Sequence, residues 1–377
     1  MKVALVLDDS IDRTDGVQQY VLTLGAFLSR AGHEVHYLSS SAERTDVTVH
    51  SLARNVGVTF NGNGLRIPLP ASRAGIRAVL ERERYDVIHV QTPHSPLFAA
   101  RVVDEARRLF GDDVRIVGTF HILPDSKVSS WGTHALGRVL RRNLRRFDAF
   151  MAVSEPAAAF ARSAFGIDAR VVPCPVDVTG FAAAAAGTAR VPGEDGRLVV
   201  AFLGRLVERK GVIELVRALG QLPDDVQDRI EVRLGGKGPL QGELEAAIEA
   251  NGLERVTLAG FVAEEDKAAF YADADVAVFP ATGGESFGIV LVEAMASLAG
   301  RGAGVVLAGA NPGYLSVIGD DPYVSVDARD VEAFADALEA LLCDEELRAA
   351  LHTEQAARVR RFDVETVGAQ VLELYAA

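Results

Sequence analysis

Val276-Ala277-Val278-Phe279 is followed, three residues on, by Gly283-Gly284-Glu285-Ser286-Phe287-Gly288-Ile289-Val290-Leu291-Val292-Glu293-Ala294-Met295-Ala296. The first run is short, apolar and suited to a buried strand. The second opens on glycines and passes into a helical stretch that starts near Ser286. A strand, a glycine loop and a helix in that order form one βα unit of a parallel sheet. Two glycines let the backbone approach a ligand closely. The first N–H groups of the helix and its positive dipole end suit an anion or a hydroxyl. Glu285 sits at that mouth. Glu293 lies about two turns inside, on an apolar stretch where an unpartnered carboxylate would be costly.

The same alternation extends outward in both directions. Upstream, the strand candidates are Val3–Leu7, Glu34–Leu38, Val87–Val90, Arg115–Thr119 and Ala149–Val153. A helix over Val17–Ala31 stops at Gly32. Closer to the opening stretch they are Leu198–Leu203, Glu231–Leu234, Val256–Leu258 and Gly304–Leu307. At roughly 100–200 residues per domain, 377 residues make two domains. The boundaries expected are 1–181, an Ala/Gly-rich linker over 182–196, and 197–361. The segment 362–377 is expected as a final helix that packs back on the first domain.

Hydrophobic residues make up 49% of the chain, ample for two cores, and no apolar run approaches a membrane span. The first residues turn acidic at Asp8 and Asp9, which fits a strand and not a signal peptide. Two cysteines, Cys174 and Cys343, have no metal-ligand spacing, and no cluster of His and Cys is visible. The expected location is cytoplasmic. The net charge is −13 and argues against nucleic acid as a partner. It is uneven. Residues 1–180 hold 22 of the 39 Lys and Arg and 19 of the 52 acids, leaving 17 against 33 in the remainder.

Ligands of open α/β sheets bind beyond the carboxyl ends of strands, so the residues after strands hold the chemistry. After Leu198–Leu203 comes Gly204-Arg205-Leu206-Val207-Glu208-Arg209-Lys210-Gly211. Arg205 and Lys210 suit a diphosphate, one as a fork and one as a point charge. His121 follows the strand Arg115–Thr119 and Phe120. Gly16, in Asp15-Gly16-Val17-Gln18, precedes a helix and either presents N–H groups to phosphate or makes a turn. Gly235-Gly236-Lys237-Gly238 lacks the full dinucleotide spacing, and no G-x-G-x-x-G follows the first strand, so a dehydrogenase is disfavoured.

With these residues laid out, the chain resembles the family-4 retaining glycosyltransferases of the GT-B fold, and among them the bacterial phosphatidylinositol mannosyltransferases. The resemblance is carried by Asp15–Gln18, Asp86–Val90, Thr119-Phe120-His121, Ala152–Ser154, Phe202–Arg205 with Lys210-Gly211, and the E-x₇-E stretch from Glu285 to Glu293. It implies an α/β chain of two Rossmann-like parallel-sheet domains facing each other across a cleft. It implies a nucleotide-sugar donor, GDP-mannose favoured and a UDP-hexose second, and a membrane lipid or its headgroup as acceptor. The catalytic residues would be His121, Glu285, Arg205 and Lys210. Donor contacts would come from Gly16, Arg205, Lys210, Val262, Gly284, Glu285, Ser286, Phe287, Gly288, Ile289 and Glu293. Gln18 and Lys127 would meet the acceptor. No cofactor and no metal are implied.

Four stretches depart from the family: Asp15 stands where a second glycine is usual, Arg205 to Lys210 is one residue shorter than in the mannosyltransferases, Ile122–Lys127 differs, and Ser297–Ala303 is longer. Arginines interleaved with apolar residues over 72–84 and 138–146 make Arg73, Arg77, Arg141 and Arg145 the expected contacts to an anionic membrane surface, the inner face of the plasma membrane. A solvated helix face reads equally from the same pattern. A soluble acceptor, a sugar-nucleotide epimerase or hydrolase of the same fold, and an inactive sugar-nucleotide-binding regulator stay open as alternatives.

Overall fold

The structure is a computed structural model. It describes residues 1–13, 15–53, 55–60, 63–68, 71–122, 143–191 and 193–377, with 55–60 and 63–68 described as strands alone. Lys127 and Arg141 lie outside the described residues.

The chain forms two compact units. The first takes Met1–Pro175 and Val364–Ala377, and the second Val176–Asp363. The first unit contains β1 (Lys2–Val6), α1 (Gly16–Arg30), β2 (Glu34–Ser39), β3 (Val49–Ser51), β4 (Asn55–Phe60), β5 (Asn63–Pro68), α2 (Arg73–Glu83), β6 (Val87–Gln91), α3 (Phe98–Phe110), β7 (Arg115–Phe120), β8 (Ala149–Ala152), α4 (Glu155–Phe165) and β9 (Arg170–Val171). Its parallel sheet runs β3-β2-β1-β6-β7-β8-β9, and β4 and β5 pair as an antiparallel hairpin. The order reverses between β1 and β6, which opens a crevice beyond their carboxyl ends. The near-continuous apolar runs of β1 and β6 follow from burial on both faces.

The second unit opens with α5 (Val178–Gly187) and continues through β10 (Leu198–Leu203), α6 (Val212–Leu219), β11 (Ile230–Gly235), β12 (Val256–Gly260), α7 (Lys267–Ala272), β13 (Val276–Phe279), α8 (Ile289–Arg301), β14 (Val305–Gly309) and β15 (Ser325–Val326). The sheet order is β12-β11-β10-β13-β14-β15, all parallel. It reverses between β10 and β13. The three short edge strands β3, β9 and β15 and the hairpin have too little pattern to read from sequence.

The Ala-rich run expected as a linker is instead the body of α5. It packs on α8 so closely that a Cβ at Gly300 would stand 2.1 Å from the Ala182 carbonyl oxygen. Small side chains there permit helix contact near backbone distance. The boundary correspondingly falls earlier, after Pro175.

The last helix, α9 (Val364–Ala376), belongs to the first unit. Gly368 admits the Phe27 ring of α1, which would lie 2.3 Å from a Cβ. Arg170 pairs with Glu373 at 2.8 Å, and Arg115 donates to the Leu374 carbonyl at 3.2 Å. Tyr375, buried, reaches His89 on β6, with its hydroxyl 2.7 Å from Nδ1.

Two of the arginines expected on a membrane have other partners. Ile76, Val79 and Leu80 turn the apolar face of α2 into the core. Arg73 and Arg77 grip Glu105 on α3, at 2.5 and 2.8 Å, and Arg73 also meets Asp104. Glu105 is fully buried by its neighbours, so these cations neutralise an acid of the fold.

Replacing Tyr375 by Phe removes one bond to buried His89 and is expected to lower stability by about 1–2 kcal/mol. Thermal unfolding checks this, and an unchanged Tm for Tyr375→Phe would remove the anchoring role.

Candidate active site

At the β10/β13 reversal of the second unit, two loops meet. The loop after β10 ends in a short turn, Glu208–Lys210, and Gly211. Gly211 has φ +70°, and a Cβ there would lie 1.9 Å from the Pro280 carbonyl oxygen. That approach brings the loop after β13 alongside, and the Thr282 N–H donates to the Arg209 carbonyl at 3.0 Å. Glu285 then falls between Arg209 and Lys210. Lys210 Nζ is 2.9 Å from its Oε1, and Arg209 donates to the same oxygen. Burial alone would raise the Glu285 pKa, but Lys210 and Arg209 outweigh it and hold the carboxyl below the usual range. The carboxylate is therefore ionised at neutral pH and fixed.

Helix α8 begins at Ile289, three residues later than the sequence suggests. Gly288 precedes it at φ +122°, with the Tyr314 ring 2.7 Å from where a Cβ would be, and no side chain caps it. The N–H groups at the start of α8 thus present their dipole beside Glu285 without a protein acceptor from a cap. Gly283 and Gly284 form the loop that reaches this point. Ser286 is half-buried, and the Phe287 ring is buried edge-on against Phe362, so Phe287 has only its backbone to offer a ligand.

Glu293, 2% exposed on α8, has its partner in Lys267 at the start of α7. Lys267 Nζ lies 3.1 and 3.3 Å from the two Glu293 oxygens and 2.8 Å from Glu264. Burial would lower the Lys267 pKa, yet Glu293 and Glu264 raise it. Val262 is half-buried after β12 and packs near Gly235, beside exposed Phe261, whose ring faces Lys237 Nζ at 6.0 Å. Arg205 is exposed at the end of β10, with no side-chain partner among the described residues.

The first unit gathers its own residues at the β1/β6 reversal. Asp15 precedes α1 without capping it and pairs with Arg13 at 3.0 Å, and Gly16 at the start of the helix is exposed. Gln18 is buried and donates to the Ser10 carbonyl at 3.0 Å, so it ties down the loop between β1 and α1. His121, 8% exposed just beyond β7, donates from Nε2 to Gln91 Oε1 at 2.6 Å. The Tyr20 ring meets it edge-on at 4.7 Å. Burial, then the nearby His94, pushes the His121 pKa down to about 3. Burial, then His121, does the same to His89, again to about 3. Both imidazoles are neutral at physiological pH. His89 is held between Tyr375 and Thr119, its Nε2 2.5 Å from the Thr119 hydroxyl.

The structure therefore brings Glu285 and Lys210 together in one place, with Gly284, Ser286, Gly288 and Ile289 around them. Glu293 forms a second, paired cluster with Lys267. In the first unit Gly16, Gln18 and His121 surround the strand reversal. The sequence reading assigned no role to Arg209, Gln91, Tyr20 or Tyr375. Arg209 was legible as a third cation in the same short loop. The others are ordinary strand or helix residues until packing sets them against a histidine.

The Glycosyltransferase Family 4 model matches residues 14–179, and the Glycosyl transferases group 1 model matches 189–358. The phosphatidyl-myo-inositol mannosyltransferase of Mycolicibacterium smegmatis is 33% identical over 382 residues, covering 100% of this chain and 93% of that protein. The D-inositol 3-phosphate glycosyltransferase of Xylanimonas cellulosilytica is 32% identical over 399 residues, covering 96% and 91%. The crystal structure of Anabaena HepE in complex with UDP superposes with a TM-score of 0.74 at 20% identity, covering 100% of both chains. The chain belongs to the family-4 glycosyltransferases, with two parallel-sheet, Rossmann-like units of the GT-B fold. It is a hexosyltransferase.

Glu293→Gln leaves Lys267 with Glu264 alone and is expected to destabilise the second unit by about 2–3 kcal/mol, read as a lower Tm; no shift would sink the pairing. Because the Glu285 pKa is depressed, its stabilisation is present above the ordinary glutamate range and lost as pH falls through the lowered value. Glu285→Gln should therefore flatten the acid side of the stability–pH curve. An unchanged acid limb would refute the carboxylate's ionic role.

Proposed function

We propose that the chain transfers a hexose, mannose from GDP-mannose in the first instance, to the headgroup of a membrane lipid with retention of configuration. The observation that carries this reading is the ionised Glu285 beside Lys210, at a strand reversal and an uncapped helix start. A carboxylate accepts hydrogen bonds from sugar hydroxyls. Lys210 and exposed Arg205 supply the charge that a diphosphate needs, and they offset the charge it gains on leaving. His121, neutral by burial, acts as a hydrogen-bonding group next to the sugar rather than as a cation.

The reaction runs on the donor's front face. The bond from the anomeric carbon to the diphosphate breaks as the acceptor oxygen bonds to that carbon, and the departing phosphate takes the acceptor's proton. No protein nucleophile and no metal are required for that step. Glu293 lies by the ribose and Val262 by the base. The lipid acceptor is supported by the mannosyltransferase relatives, whose names specify phosphatidyl-myo-inositol. A soluble inositol phosphate acceptor is the second reading, favoured by the Xylanimonas relative. A UDP donor is the second choice of nucleotide, on the likeness to HepE. Peripheral contact with the inner face of an anionic membrane rests on the arginines of 138–146, of which Arg145 is exposed; recovery of the protein in the supernatant with anionic vesicles at low salt argues against it.

Thermal unfolding with GDP, UDP and ADP tests the donor. A nucleotide at about 100 times its Kd stabilises by roughly 2.7 kcal/mol, on the order of 3 °C if the whole chain melts together and about 7 °C if the second unit melts by itself. A shift with GDP alone, weakened in Lys210→Ala, is the expected result. A shift with UDP alone moves the donor to a UDP-hexose, and no shift with any nucleotide overturns the donor site.

A further inference from the structure

Lys2 pairs with Glu34, Ala4 with His36, and Leu38 with His50 in the parallel ladders of β1, β2 and β3. Side chains two apart on a strand share a face, so Lys2, Glu34, His36 and His50 all stand on one face of the sheet. Helix α2 packs on that same face, where Ile76 and Leu80 join Ala4 and Leu38 in the core. The helix ends there, and its last residue, Glu83, drops between the two histidines. This corner is at the amino ends of β1 and β2, away from the carboxyl-end loops that carry the transferase residues.

The ligand-capable atoms of His36, His50 and Glu83 lie within 4.8 Å of one another, a grouping found nowhere else among the described residues. His36 Nδ1 is 3.3 Å from His50 Nε2 and 3.6 Å from Glu83 Oε2, and His50 Nε2 is 3.5 Å from Glu83 Oε1. A tetrahedral ion with bonds of about 2.0–2.1 Å needs ligand atoms roughly 3.3 Å apart. The three side chains are 9, 16 and 13% exposed, so their positions are already set by packing. The far nitrogen of His36, Nε2, faces Glu34 Oε1 at 3.1 Å, the carboxylate-behind-histidine arrangement that orients metal ligands. Lys2 Nζ in turn holds Glu34 at 2.9 Å and Glu83 Oε2 at 2.7 Å. The Tyr85 hydroxyl stands 3.1 Å from His36 Nδ1, next to the fourth position.

We infer that His36, His50 and Glu83 form a structural zinc site, oriented by Glu34, that staples the edge of the first sheet to the end of α2. Two imidazoles and one carboxylate select zinc over the hard, oxygen-loving cations. Glu83 Oε1 leaves Arg82, whose side chain is 61% exposed, and binds the metal, while Oε2 keeps Lys2. Water or Tyr85 completes the tetrahedron. The metal serves the fold and takes no part in transfer. No spacing along the sequence shows this group, because residues 36, 50 and 83 come from three separate elements.

The test titrates chelator-treated full-length protein with zinc chloride, without nucleotide, by calorimetry and thermal unfolding. One zinc per chain and a raised Tm are expected. His50→Ala should abolish both while its chelated form keeps the wild-type circular dichroism, and Glu34→Gln should weaken zinc about tenfold. No heat and no Tm shift for the wild type, or an equal shift in His50→Ala, overturns the site. Cobalt(II) gives a reading that needs no variant. A tetrahedral visible spectrum, displaced one-for-one by zinc, supports the site, and an octahedral spectrum overturns it.

Discussion

Glu285 between Arg209 and Lys210 is the interaction around which the second unit is arranged. A carboxylate that deep would protonate or turn outward without cations beside it. The cations reach it because Gly211, with no Cβ, lets the loop after β10 touch the Pro280 carbonyl. The same contact fixes the loop after β13, and hence the angle at which α8 starts. Gly313 adds a matching constraint from the other side: a Cβ there would stand 2.0 Å from the Glu285 carbonyl oxygen. Asn311 ties the neighbouring strand ends by donating to the Ala281 and Gly309 carbonyls. A single buried charge is thereby held by backbone geometry on several sides, which is what a site that must not reorganise during reaction requires.

The first unit solves a different problem. It buries histidines rather than carboxylates, and burial keeps them neutral. His121 spends its Nε2–H on Gln91, and His89 bridges Thr119 to Tyr375. The final helix thus reaches the strand that carries Gln91 through hydrogen bonds as well as through the Gly368–Phe27 contact. The hydrogen bonds of His121 to Gln91 and of His89 to Thr119 and Tyr375 favour this arrangement, because breaking one leaves a further buried donor or acceptor unmet.

Arg73 and Arg77 show how far pattern reading goes. Interleaved arginine and apolar residues describe an amphipathic helix correctly, but not what lies against either face. In α2 the apolar face meets the core and the basic face meets Glu105, thirty residues away in sequence. The Ala run at 182–186 misleads for a similar reason: weak patterning suits a linker, and it equally suits a helix pressed against Gly300. In both stretches the partner that gives the residues their place in the fold is distant in sequence.

The sequence by itself determined the alternation of strands and helices, the two-domain α/β class, and the strand-end positions of Arg205, Lys210, Glu285 and His121. These are local properties: periodicity, glycine after a strand, charge at a helix mouth. Tertiary structure alone decided that Glu293 answers to Lys267, that Gln91 and Tyr20 enclose His121, that Tyr375 of the last helix reaches His89, and that His36, His50 and Glu83 share a corner. Each of these depends on which residues of separate elements come within a few ångströms, and sheet order and packing set that distance, not spacing along the chain.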